Sequence, residues 1–525
     1  MKRKSTYLLT SIMSLFALSM LSGCASNDDD KIVLRVLNSA DYIYEVPDEF
    51  DEDASYNQYL SEDENMMDQF VSYMAEQGVE ISYVYDTFDT NETMYNELMT
   101  GKSSYDIIVT SDYMVQKLIT NDLIQPLYKE SFDESDELKS IRNNVSDYLW
   151  NIFDSIHPKD KVTNEYIEDK VISQYSVPYM WGTVGVMYNP DFYEDFKTEE
   201  VIDLFRSWDG LYGEESKNSF SIKDSVRDVY AVSVVHALYE SDIKPLEEKF
   251  EKGEIDDVTF NAELNKIFNR CDDETLKVIK EDMLKLKENS FGFEVDSGKT
   301  DMVEGKIGAN LAWSGDATWA IEEAESDYET ELYFSIPEEG SNIWFDAFCV
   351  PKVSKNLDLA TKFIEFMCKP QNAIQNMWSV GYTTGVSSQE VLDYFYECYD
   401  VRGEVGGEAS EEYEEYDIRY FFEDAIEEID DAILYAYPEV TNRTLKAQMP
   451  EESDLIHLCV MDDFGLQNEA VLNMWEGVRT NPLPIWALII LLLELALALA
   501  LIGYFTYKKF IKAKMRKEHR ANLNK

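Results

Sequence analysis

The chain has 525 residues, 103 acidic against 46 basic, and a formal net charge of −57. A field of that sign repels nucleic acid and anionic solutes and concentrates cations, so polyanions are excluded as partners. Hydrophobic residues make up 45% and aromatic residues 13%, which excludes a disordered acidic chain and fits a well-cored globular protein.

Lys2, Arg3 and Lys4 precede an apolar run, Tyr7 to Leu21, that stops at Leu21-Ser22-Gly23-Cys24. A basic start, a short apolar stretch and small residues at its end make residues 1–24 a secretory signal. Small residues before a cysteine resemble the lipobox of bacterial lipoproteins, which implies lipidation at Cys24. A membrane helix with an incidental cysteine is the alternative, for which the run is short. Residues 25–31 are mostly polar and read as a tether.

Ile32 to Leu37 reads as a buried strand that ends in the polar turn Asn38 to Asp41. Val79 to Tyr85 is a second strand, and Thr90-Asn91-Glu92 starts a helix that runs to about Met99 and closes at Gly101. Tyr105 to Val109 is a third strand, followed by a helix opened by Ser111 and Asp112. Alternating strand and helix predict an α/β lobe with a largely parallel sheet. Binding groups then belong past the C-terminal strand ends, where Asn38 to Tyr42 and Ser111 to Tyr113 fall. The part of the chain between its two ends is too long for one ordinary core and fits two lobes.

Tyr175 to Gly182, followed by Val184 to Tyr188, reads as a strand leaving one lobe and another beginning the next. Leu276, Ile279, Met283 and Leu286 form a helical stripe, and Ala360, Phe363, Ile364 and Met367 a second one stopped by Pro370. Gly403 to Glu415 is rich in glycine and glutamate and predicts a mobile acidic loop. Ile485 to Tyr507 is apolar except for Glu494, Thr506 and the tyrosines, long enough for a membrane span. The basic cluster from Lys508 to Arg520 places residues 508–525 in the cytoplasm and the preceding domain outside. Glu494 in mid-span is either neutral and tolerated or a contact with another membrane helix.

Five cysteines besides Cys24 (Cys271, Cys349, Cys368, Cys398, Cys459) are scattered and odd in number, so no disulfide framework or CxxC metal site can be read. Ser297-Gly298-Lys299-Thr300 looks like the end of a phosphate loop, but Phe293 stands where that loop needs a glycine. Neither HExxH nor GxSxG is present, and the acidic stretch Asp48 to Asp53 lacks the calcium-loop pattern. The chain is read as a binding protein and not an enzyme, with no cofactor.

A set of segments, taken in order, resembles the spermidine/putrescine-binding proteins of ABC importers, which have the type II periplasmic-binding-protein fold. They are Asn91-Glu92-Thr93-Met94-Tyr95, Tyr105 to Tyr113, Val177 to Gly182, Ser207-Trp208 and Asp224-Ser225-Val226-Arg227-Asp228. They continue with Met302-Val303-Glu304-Gly305, Trp313-Ser314-Gly315, Ile343-Trp344-Phe345-Asp346 and Val380-Gly381-Tyr382. The resemblance implies an α/β protein of two lobes joined by crossing strands, lobe 1 from residues 32–180 and 345–480 and lobe 2 from 181–344. A C-terminal single transmembrane helix (485–507) follows.

In that family an acidic residue after a tryptophan on the return strand pairs with a ligand amine, which corresponds here to Trp344 and Asp346. Trp313 lines the box for the methylene chain. Tyr42, Ser111, Tyr113 and Tyr382 fall on positions around the cleft, and Asp41 and Asp228 on those of terminal-amine carboxylates. The family's other acidic position is Ser225 here, with Asp224 as an adjacent substitute. Ser39-Ala40 replaces a Trp-Thr pair, and Met461 stands where relatives carry a glutamine. These residue types suit a polyamine, an oily chain with ammonium groups at intervals: aromatic faces bury methylenes and attract cations, and carboxylates set register. The implied partners are spermidine or putrescine, an ABC permease with its ATPase, and the membrane, through Cys24 and helix 485–507. The alternatives are a tethered sensor, for which the tail after Tyr507 is short, and a protein of this fold for another cation or a metal.

Overall fold

The computed structural model describes residues 32–47, 55–101, 104–402, 413–423 and 425–480, and parts of a helix between 493 and 516. Cys24, the signal, the tether and Glu494 lie outside the described residues. The chain divides into two compact units, Met1–Val471 and Leu472–Lys525.

The first unit is two-lobed and α/β. Its first sheet region begins with β1 (Ile32–Ser39), flanked in parallel by β2 (Ile81–Phe88) and β3 (Ile107–Ser111). Between β2 and β3 runs α1 (Asn91–Met99), capped by the Thr90 hydroxyl on the Thr93 N–H; α2 (Asp112–Thr120) follows β3 and leads to the short β4 (Ile124–Gln125). The third strand starts at Ile107, two residues later than Tyr105. Asp106, just before it, donates its N–H to the Arg35 carbonyl of β1 at 2.7 Å, and its carboxylate accepts from the Arg35 N–H, the Ser354 hydroxyl and the Asn356 amide.

β5 (Ser176–Tyr188) is one unbroken strand of 13 buried residues where the sequence suggests two. Burial on both faces explains its continuous apolar run. Gly182 does not end it: a Cβ there would stand 2.5 Å from Ser314 Oγ and 2.8 Å from Trp344 Cζ2, so this glycine marks a close approach in mid-strand. The strand changes partners along its length. Its first half pairs antiparallel with β10 (Ser341–Pro351) and β11 (Thr383–Thr384). Its second half pairs with β8 (Ala309–Trp313) and β9 (Tyr333–Ser335).

In the second lobe β6 (Phe220–Lys223) lies parallel between β8 and β7 (Gly292–Glu294). Among the described residues the main sheet therefore runs β2-β1-β3-β10-β5-β8-β6-β7, parallel at either end and antiparallel where β5 and β10 cross between lobes. Helices cover it: α3 (Val226–Leu238), α4 (Asp273–Asn289), α5 (Ser314–Tyr328), α6 (Leu357–Met367) and α7 (Pro370–Val380). Leu276, Ile279, Met283 and Leu286 are all buried beneath α4, and Ala360, Phe363, Ile364 and Met367 beneath α6. Pro370, expected as a stop, is also the first residue of α7, where its missing N–H costs nothing.

Of the acidic stretch 403–415, residues 403–412 lie outside the described residues; Glu414 and Glu415, expected in a mobile loop, belong to a strand, Glu414–Asp417, paired with Ile433–Ala436. Cys271, Cys349, Cys368, Cys398 and Cys459 are free thiols. In the second unit residues 499–512 are helical, with Leu501, Ile502 and Phe505 exposed. Much of the expected span 485–507 is outside the described residues. Among those described, no helix is long and apolar enough to cross a membrane.

Candidate functional site

Along β10, Phe345 and Ala347 are buried in the core, whereas Trp344 and Asp346 are half-buried on the opposite face. The register with β5 slips here: Asp346 faces Met180 and Ala347 faces Pro178, leaving Tyr179 as the extra residue. Such a bulge bends the strand and re-aims its side chains. The Asp346 carboxylate accepts from the Tyr42 hydroxyl at 2.7 Å and from the Ser111 hydroxyl at 2.7 Å. Burial lifts its carboxyl above the ordinary aspartate range, opposed by these two bonds. No lysine or arginine among the described residues counters that burial.

The two hydroxyls are held from behind. Asn91, first residue of α1, donates to Ser111 Oγ at 3.0 Å and to the Tyr113 hydroxyl oxygen at 3.2 Å, and accepts from Thr110 Oγ1 at 2.6 Å. The Tyr42 carbonyl accepts from Asn38 Nδ2 and from the Tyr179 hydroxyl, each at 3.0 Å.

Three rings form the adjoining wall. Tyr42 meets Tyr382 edge-on at 5.8 Å, and Tyr382 meets Trp344 at 5.0 Å. Tyr382 reaches this place because Gly381 adopts φ 82° after α7 and because Gly315 has no side chain; a Cβ on Gly315 would overlap the Tyr382 ring.

Beyond Tyr382 lies a second acidic group. The Tyr382 hydroxyl donates to Asp316 Oδ1 at 3.3 Å, and the charges of Asp316, Asp346 and Asp228 all reach that hydroxyl, which burial above all keeps protonated. Burial raises the carboxyl of Asp228, in the first turn of α3, opposed by the nearby Ser225 hydroxyl and Trp313 indole. Asp112, under Tyr113, accepts from the Phe345 N–H at 3.2 Å and is pushed up to about 8, by burial first, with the Asp346 charge adding. Arg227 ties the lobes together. Its guanidinium lies 3.9 Å from the ring centres of both Tyr113 and Phe464 and donates to the Asp462 carbonyl at 2.6 Å.

Eight of the residues singled out from sequence thus converge: Tyr42, Ser111, Tyr113, Asp228, Trp313, Trp344, Asp346 and Tyr382. Asp41 is next to them but exposed, in a left-handed turn (φ 51°). Asp224 follows β6, its N–H bonded to the Glu294 carbonyl, and Met461 is buried. Asn91, Asp112, Asp316 and Arg227 take part without having been singled out. Asp316 carried a signal, standing immediately after the segment Trp313-Ser314-Gly315. Ser297 to Thr300 wraps a carboxylate: the Gly298 N–H donates to Glu294 Oε2 at 2.9 Å. A separate groove of about 1220 Å3, lined in part by Tyr148, Asn265 and Tyr420, shares none of the eight.

Carboxylates raised by burial and set among aromatic faces make a trough suited to an organic cation with an apolar body. A family model described as bacterial extracellular solute-binding protein matches residues 68–391. The chain is similar to the spermidine/putrescine-binding periplasmic protein of Salmonella typhimurium, 27% identical over 320 residues, covering 61% of this chain and 73% of that one. It is similar also to the putrescine-binding periplasmic protein of Escherichia coli, 26% identical over 310 residues, covering 58% and 70%. In fold it resembles a spermidine/putrescine ABC transporter substrate-binding protein of Streptococcus pneumoniae, with a TM-score of 0.52, 23% identity and coverage of 86% and 100%. The chain belongs to the bacterial extracellular solute-binding protein family.

Proposed function

We propose that this extracellular solute-binding protein captures a polyamine of the spermidine/putrescine class between its lobes and hands it to an ABC permease driven by its ATPase. The single observation that carries the reading is Asp346: a half-buried carboxylate with two hydroxyl donors, no cationic partner among the described residues, and an aromatic wall beside it. A ligand ammonium supplies the missing charge, and the rings of Tyr42, Trp344 and Tyr382 take the methylenes. Asp228 with Trp313 supplies a second anchor. Ser111 and Tyr113 belong to one lobe and Asp228 to the other, so a ligand touching both stabilises the closed form by its differential affinity. A lipid at Cys24 and a helix at 485–507 would keep the domain beside its permease, with the tail inside.

Calorimetric titration of the full chain in detergent with putrescine and spermidine tests this. Saturable one-to-one heats are expected; no heat with either amine defeats the reading.

A further inference from the structure

At the inner end of the trough the protein already holds an ammonium group of its own. Lys223, the last residue of β6, is fully buried; its Nζ lies 2.9 Å from Asp316 Oδ2, 3.1 Å from Glu294 Oε1 and 3.3 Å from the Val295 carbonyl. The same Nζ stands 4.4 Å from the centre of the Trp313 ring. Two carboxylates, a carbonyl and an indole face are what a ligand ammonium requires. Trp313 and Asp316 both belong to the trough: Trp313 stands beside Asp228, and Asp316 accepts from Tyr382. Glu294 is held for this task by Gly298, whose Cβ would stand 2.6 Å from Glu294 Oε1, and by the Asn310 amide at 3.2 Å.

We propose that Lys223 occupies the station that a third ligand ammonium would take, and so sets the protein's preference for diamines over longer polyamines. This rests on the polyamine reading of the same trough. With Glu294 paired to Lys223, and Asp316 to Lys223 and, at 3.6 Å, to Lys299, the carboxylates left for ligand at this wall are Asp346 and Asp228, one for each end of a diamine. A triamine entering the wild-type trough brings its extra ammonium against Lys223, a like charge with no room beside it.

The test compares Lys223→Ala with wild type, each as the full chain, by titration with putrescine and spermidine. Wild type is expected to bind putrescine the more tightly. The variant, with Glu294 unpaired, Asp316 facing only Lys299 and a vacated space, should shift the spermidine-to-putrescine affinity ratio toward spermidine by about tenfold or more, the size of one charge-assisted hydrogen bond. An unchanged ratio overturns the proposal, as does a wild type that favours spermidine. If the variant is too fragile to titrate, its thermal unfolding midpoint in saturating spermidine should exceed that in saturating putrescine. Equal midpoints, or a variant unfolded in both amines, also overturn it. Lys223→Arg, which keeps the cation, should retain the wild-type ratio. A wild type that binds neither amine defeats the polyamine reading itself and is a distinct outcome.

Discussion

Replacing Asp346 by asparagine removes one charge and no volume. The Tyr42 and Ser111 hydroxyls, each 2.7 Å from the carboxylate, can accept from an amide by turning their hydrogens. The fold therefore survives. Truncating one partner of a buried, hydrogen-bonded charge pair costs about 2–5 kcal/mol, and each ~1.4 kcal/mol is tenfold, so polyamine affinity should fall by about 30-fold to several-thousand-fold. Stability should move the other way. Burial raises the Asp346 carboxyl, which means the empty protein holds a carboxylate it would be more stable without. A neutral amide is cheaper to bury, so the unfolding midpoint of empty Asp346→Asn at neutral pH should equal or exceed that of wild type. Calorimetric titration measures the first effect and a thermal melt the second. Unchanged heats refute the assignment of Asp346 to the ligand; a large fall in the melting point refutes the view that the carboxylate is held at a cost.

Asp112, pushed up to about 8 from an ordinary 3.8, holds its proton in the folded protein where the unfolded chain has lost it. Its contribution to stability is thus present at low pH and falls away as pH rises between those values; urea midpoints of empty protein should be higher at pH 5 than at pH 8, with a shallower slope in Asp112→Asn. The same raised carboxyls, Asp112, Asp228 and Asp346, should release protons when a cation binds near pH 7, seen as titration heats that differ between phosphate and Tris buffers; identical heats count against it. Gly182→Ala sets a methyl 2.8 Å from the Trp344 ring and Gly315→Ala sets one inside the Tyr382 ring, so each should weaken binding about tenfold or more by displacing a wall, and an unaltered dissociation constant would exclude these rings from the site. Arg227→Ala removes a guanidinium stacked between Tyr113 and Phe464, contacts of about 0.5–2 kcal/mol each. The empty protein should then open further, read as a larger radius of gyration in solution scattering, and equal radii would show that the stack holds nothing shut.

Much of this was legible because strand and helix alternate plainly up to Thr120, and because the marked segments lie at strand ends or on crossing strands. Trp344 and Asp346 stand two apart on one strand, so a shared face follows from periodicity alone. The slip that aims Asp346 does not: it depends on Pro178 having no N–H to give and on Tyr179 finding the Tyr42 carbonyl, a partner 137 positions earlier in the chain. The single strand through Gly182 was hidden for a related reason, since a glycine in an apolar run looks like a break until the ring of Trp344 is seen against it. Lys223 was hidden more deeply. A lysine beside an aspartate reads as solvated surface, and only the tertiary placement of Glu294 and Asp316 shows it to be buried.

The crossing of β10 into the first lobe also orders events during synthesis and export. Ser111 and Asp346, which touch, are 235 residues apart in the chain, while β6 to β9 come from the continuous stretch between β5 and β10. The second lobe can therefore condense as the polypeptide emerges, but the first must wait, incomplete at its centre, until the return strand arrives. The capture site is consequently among the last features to assemble, and a chain stalled before β10 carries aromatic surface yet cannot engage its cargo.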